Sequence, residues 1–135
     1  DEFVNPFSFQ LVYPPTMTGA QYVNALNTNA GGALSTAERD HLVNDLTNGT
    51  KTRAQVLRAV VEDPDFTKAQ FNRAFVLMQY FGYLRRNPNG RPDNNFDGYN
   101  FWLAKLHQFG GNFIEAEMVK AFITSQEYRK QFGPP

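Results

Sequence analysis

Apolar positions recur at helical spacing from Thr18 to the C-terminus, and a different, nearly alternating pattern precedes them. The longest apolar run is Phe71–Leu84. Phe71, Ala74, Phe75, Met78 and Phe81 make one stripe in it, with Val76, Leu77, Tyr80, Tyr83 and Leu84 on the flanks. A helix apolar on nearly every side needs other helices around it, so this run is expected at the centre of the fold. Immediately after it the chain turns polar, then delivers its only tryptophan, Trp102, onto a new helix.

Helix starts punctuate the chain. Thr18–Gln21, Ser35–Glu38, Thr52–Gln55 and Thr67–Gln70 each fit the capping box, in which a hydroxyl serves the N3 amide and the N3 side chain reaches back. Asn112–Glu115 is a looser version with Asn as cap. Breakers lie at Gly31-Gly32, Asn48-Gly49, Asp63-Pro64-Asp65, Asn87–Gly90 and Gly110-Gly111. The pattern predicts helices over Thr18–Asn27, Thr36–Thr47, Arg53–Glu62, Lys68–Arg86, Gly98–Gln108 and Phe113–Gln131.

A repeat runs through this layout. Arg39, Leu42, Val43 and Leu46 match Tyr99, Trp102, Leu103 and Leu106 in spacing, and Gln55–Phe66 aligns with Glu117–Tyr128. Val56, Leu57, Val60 and Val61 then fall opposite Met118, Val119, Phe122 and Ile123, and Phe66 opposite Tyr128. The expectation is an all-α fold, a single six-helix bundle of two repeated three-helix units (16–66 and 67–132) whose stacked stripes share one core.

Residues 1–15 stand apart as an extended N-terminal arm. Phe7, Phe9, Leu11 and Tyr13 alternate with Ser8, Gln10 and Val12, between Pro6 and Pro14-Pro15. That period of two, framed by prolines, favours extended chain. So aromatic an arm needs an apolar surface, supplied either by its own helices or by a neighbouring copy.

Composition narrows the function. With thirteen basic and thirteen acidic residues the formal charge is zero, so no global field steers the chain to nucleic acid. The absence of cysteine removes disulfides and thiol chemistry. No apolar run reaches the ~18 residues of a membrane span, and the chain opens on DEFVNPF without an initiating Met, which suits a processed or excised, exported segment.

At Leu84-Arg85-Arg86, Pro92-Asp93, Gly98 and Trp102, followed by Phe122–Tyr128, the chain resembles a bacterial domain of unknown function (4214-type) that recurs in secreted and S-layer-like cell-surface proteins. The resemblance covers about 13–132 and leaves the arm outside. It implies an all-helical, exported, noncatalytic module without established activity. This chain departs from the pattern in a Pro-Asp-to-Gly loop about two residues longer.

Candidate chemistry is sparse. Asp93, Asn95 and Asp97 before Gly98 match the first half of a calcium loop, but Ala104 stands where a bidentate Glu belongs. The same residues also suit an Asx-rich turn at a helix start. His41 and His107 lie in no ligand spacing, Glu115 and Glu117 lack a partner acid, and no nucleophile elbow or phosphate loop occurs. Arg85, Arg86 and Arg91 form one basic cluster, which a helix C-terminus favours without nucleic acid. Asn48-Gly49-Thr50 is a glycosylation acceptor by pattern.

The expected function is therefore a noncatalytic structural module, without cofactor, membrane insertion or nucleic-acid partner. It is expected to assemble into an extracellular homo-oligomer or filament through Phe3, Val4, Phe7, Phe9, Leu11 and Tyr13. The alternative is a calcium- or glycan-binding adhesin using the Asn87–Tyr99 loop beside Trp102.

Overall fold

The computed structural model describes Val4 and residues 7–133. Among these residues the chain is all-α, with no strand. The helices are α1 (Phe7–Val12), α2 (Gly19–Asn29), α3 (Thr36–Thr47), α4 (Arg53–Val61), α5 (Pro64–Gln79), α6 (Asp97–Gln108), α7 (Met118–Thr124) and α8 (Gln126–Phe132). A π-helical turn, Tyr80–Leu84, continues α5.

Three of the four predicted capping boxes close in both directions, at Thr18, Ser35 and Thr52. The fourth does not. Instead of Thr67, Asp63 starts α5, its carboxylate accepting the Asp65 and Phe66 amides at 2.9 and 3.0 Å. Asp63-Pro64 reads as a breaker, yet Asp is a strong cap and Pro suits the first helical position, whose N–H has no partner to lose.

The long last helix also divides. Asn112 caps a single turn through the Ile114 and Glu115 amides, and Glu117 then adopts a left-handed conformation (φ 50°) that ends it. Ser125 interrupts again with an extended backbone. Its hydroxyl donates to Phe122 O at 2.7 Å and accepts from the Tyr128 amide at 3.1 Å, closing α7 and opening α8.

The chain falls into two units, Asp1–Ala69 and Gln70–Pro135, a division within α5. The buried apolar residues form two clusters, one in each unit, rather than the one core that stacked stripes predict. In the first, Tyr22, Val23, Leu26, Leu42, Val56 and Val60 meet. In the second, Val76, Tyr80, Leu84, Leu106, Met118 and Phe122 do. Each unit brings a buried tyrosine and several branched side chains, enough apolar volume to close on itself.

Two expectations fail in instructive ways. The residues over Phe7–Val12 are helical, not extended. A helix puts positions four apart on one face, so Phe9 and Tyr13 pair inward while Phe7 and Leu11 pair outward. Prolines on either side bound that helix without opposing it. The stripe of α5 is the second case. Phe71, Ala74, Met78 and Phe81 are exposed and Phe75 is half-buried, whereas Asn72, Val76, Gln79 and Tyr80 are buried. The helix is apolar on both sides, so periodicity alone leaves its orientation open; the partners available inside the second unit select the Val76–Tyr80 side.

Candidate functional site

The polar feature that organises the second unit is Arg86. Arg85 takes a left-handed conformation (φ 54°) after the π turn, which swings the chain out of the helix. The Arg86 side chain, only 13% exposed, lies within the following loop. Its Nη1 donates to the carbonyls of Asn87, Pro88 and Gly90 at 3.1–3.2 Å. Its Nη2 donates to Asp93 Oδ2 at 2.7 Å and Glu127 Oε2 at 3.0 Å, and Nε donates to Glu127 Oε1 at 2.5 Å. A guanidinium has five N–H donors in a rigid fork, and here its nitrogens meet six protein acceptors. Hydrogen bonding to Glu127 above all, together with Asp93, holds it protonated well beyond its ordinary range.

Pro92, Gly98 and Trp102 lie in the same unit. Arg91–Pro92 is a cis peptide in the same loop. Gly98 passes over Tyr80 so closely that a Cβ there would lie 2.6 Å from the tyrosine hydroxyl. Trp102 rests half-buried against Phe122, ring centres 5.6 Å apart, with Lys105 Nζ 5.2 Å from its ring. Gln131 returns from α8 to donate to Leu84 O at 3.1 Å. Burial, with the Asp93 charge second, raises the Tyr80 phenol above its usual range. These side chains bind one another. Their hydrogen bonds join the loop, the π turn and α8.

The predicted calcium residues divide between two structures. Asp93 belongs to Arg86, whose guanidinium supplies positive charge to the carbonyls and carboxylate that a cation would otherwise take. Asn95 and Asp97 hydrogen-bond each other at the start of α6, Asn95 Oδ1 also accepting the Asp97 amide at 3.0 Å. Phe96, not Asp97, occupies the capping position, and Asp97 sits in the first turn where its charge suits the helix dipole. Among the described residues no group of three or more His, Asp or Glu is placed to hold a metal.

The basic cluster does not form a patch. Arg86 is internal, Arg85 stacks over Phe132 at 4.8 Å, and Arg91 is exposed. His41 is exposed, 3.4 Å from Asp45, and His107 is exposed. Asn48, Gly49 and Thr50 lie in an exposed turn, the Thr50 hydroxyl donating to Asp45.

The predicted arm residues fall into three groups. Phe3 lies outside the described residues. Phe9 and Tyr13 pack against the first unit's own cluster, Tyr13 edge-on to Tyr22 at 5.8 Å. Arg53 fastens this junction: it stacks over the Tyr22 ring at 4.0 Å and donates to the carbonyls of Pro14 and Tyr13 at 3.0 and 3.3 Å. Asn29 donates to the Tyr13 hydroxyl. Val4 is half-buried, while Phe7 and Leu11 face solvent at 77% and 68% exposure, with Val12 beside them. Sequence spacing named these residues but missed the division, because alternation and a short helix use the same positions differently.

No protein-family model, no curated protein and no solved structure matches this chain. No helix among the described residues is long and apolar enough to cross a membrane.

Proposed function

We propose that the chain is a noncatalytic structural module of an exported bacterial protein, built from two related units. In this reading it self-associates through the outer face of α1 into an extracellular assembly. The observation that carries the proposal is the two-faced α1. Its inner face and the Arg53 bonds clamp it to the first unit, so Phe7, Leu11 and Val12 are presented outward on a seated helix. Three adjacent large apolar side chains held in solvent are a surface for another molecule, and a second copy placed there head to tail gives a ring or a filament.

Equivalent caps support the kinship of the units. Asp63 and Ser125 fall opposite each other in the repeat, and each accepts the amide three residues on, Phe66 or Tyr128. Val56 and Met118 are both wholly buried at matching positions, as nearly are Val60 and Phe122. A calcium- or glycan-binding reading has less behind it, since Asp93 is engaged by Arg86 and Trp102 packs on Phe122.

Light scattering on the intact chain and on a Phe7→Asp/Leu11→Asp variant tests the proposal. The variant should lose the assembly while its melting temperature stays put. An intact chain that is monomeric throughout, or a variant that assembles unchanged, overturns it.

A further inference from the structure

The second unit carries an apolar surface of its own. Phe71, Ala74, Phe75, Met78 and Phe81 lie along one side of α5 and its π turn. Phe71 stacks on Phe75 with ring centres 6.2 Å apart, and Phe75 meets Phe113 at 4.8 Å. Phe113 brings Ile114 with it, at the mouth of an open depression also lined by Glu117, Val119 and Lys120. The surface is therefore continuous from the helix onto the turn that follows α6, and the five stripe residues include no charge.

The opposite side of the same helix buries amides. Asn72 is 3% exposed and Gln79 6%, and Gln79 Oε1 has no hydrogen-bond partner among the described residues. Phe71 and Met78 meanwhile stand 62% and 66% exposed. A helix that spends buried positions on carboxamides while presenting phenylalanine and methionine to water carries more apolar surface outward than an isolated chain needs. Covering the outward side removes that surface from water.

We infer that α5 is a two-fold interface, on which a second copy of this chain lays the same stripe. Self-complementarity favours a second copy over an unlike partner: large side chains flank the small, exposed Ala74, which leaves a hole where the knob of an equivalent helix fits at the 8–10 Å spacing of packed helices. Area agrees. At about 200 Å² for a fully exposed large side chain, Phe71, Met78, Phe81, Phe113 and Ile114 leave roughly 500 Å² of apolar surface open, at the upper end of what one monomer shows. Doubled by a partner, that approaches the ~1,200 Å² at which specific interfaces begin, before flanking backbone and polar groups are added. The inference does not rest on the α1 reading.

The chain has no cysteine, so Ala74→Cys introduces a unique thiol at the centre of the stripe. Under mild oxidation it should form a disulfide-linked dimer within the protein's own association range, whereas Lys130→Cys, exposed on α8, should not. Phe71→Glu/Met78→Glu should abolish this dimer without lowering the melting temperature of the monomer. Light scattering on four chains separates the two interfaces. If both operate, the α1 variant leaves dimers, the α5 variant leaves the α1-mediated assembly, and the combined variant is monomeric. If only the α5 variant makes monomers, the α1 reading fails and the two-fold stands. If only the α1 variant does, the two-fold is overturned. It is overturned equally if Ala74→Cys cross-links no faster than Lys130→Cys, or if the intact chain is monomeric at every concentration.

Discussion

Arg86 and Glu127 stand 41 positions apart in the chain and meet through two hydrogen bonds, Nε to Oε1 at 2.5 Å and Nη2 to Oε2 at 3.0 Å. The pair joins the end of the π turn to α8. Its side chains are 13% and 26% exposed, so it is neither a surface ion pair of negligible worth nor a fully desolvated one.

Glu127→Gln should lower stability by about 2 kcal/mol, since it leaves a largely buried guanidinium short of a charged partner. Arg86→Lys should cost at least as much, because an ammonium does not reproduce the fork that reaches three carbonyls and two carboxylates. Urea unfolding measures both. A Lys variant as stable as the parent would show that charge alone holds this loop.

Gly98→Ala reverses a common rule. Within a helix Ala is favoured over Gly by roughly 1 kcal/mol, and Gly98 lies in the first turn of α6. The added Cβ would meet the Tyr80 hydroxyl at 2.6 Å, so the substitution should destabilise by about 1–3 kcal/mol through overpacking. Gly98→Ala combined with Tyr80→Phe should recover part of that loss. No recovery in the double variant would place the strain elsewhere.

Val76 and Met78 test which side of α5 is internal. Val76 is fully buried and Met78 two-thirds exposed. Val76→Ala should cost about 2 kcal/mol from lost burial and the space left behind. Met78→Ala should change the stability of the monomer by less than about 0.5 kcal/mol. Equal costs would mean that the stripe is packed inside.

Acid should weaken two carboxylate contacts of the first unit. Hydrogen bonds from Ser35 hold Glu38 below its ordinary 4.5, and the Lys51 ammonium first, then Thr50, holds Asp45 below its ordinary 3.8. A carboxyl depressed in the folded state contributes stability above its unfolded value and loses it as pH falls through the folded one. The urea midpoint should therefore be flat down to about pH 5 and fall below pH 4.5. Glu38→Gln keeps the capping geometry, as Gln21 and Gln55 do at the equivalent positions of α2 and α4. It should flatten part of that acid slope by lowering stability slightly at pH 7 while matching the parent in acid, where Glu38 is itself protonated. An unchanged slope would clear Glu38 of any part in it.

Millimolar calcium should leave the melting temperature unchanged, because Arg86 already pairs with Asp93 and donates to the carbonyls of Asn87, Pro88 and Gly90. A rise with calcium that disappears in Asp97→Asn would restore the loop as a metal site.

Local chemistry was readable directly from the chain. The caps at Thr18, Ser35 and Thr52 depend on residues three apart, and α3 runs over Thr36–Thr47 as its pattern predicts. The matched positions Val56 and Met118, or Val60 and Phe122, were likewise visible as spacing and are buried in their own units. Such features involve a few neighbouring residues, so their physics is contained in a short stretch of sequence. Three other outcomes belonged to tertiary structure. Phe7 and Leu11 separated from Phe9 and Tyr13 because Tyr22 and the distant Arg53 offered a seat to one pair only. Alpha5 turned Val76 inward and Phe71 outward because a helix apolar all round has no preferred side until its neighbours are in place. Arg86 found Glu127 only when the π turn and α8 came together, a closure between distant segments that no periodicity encodes.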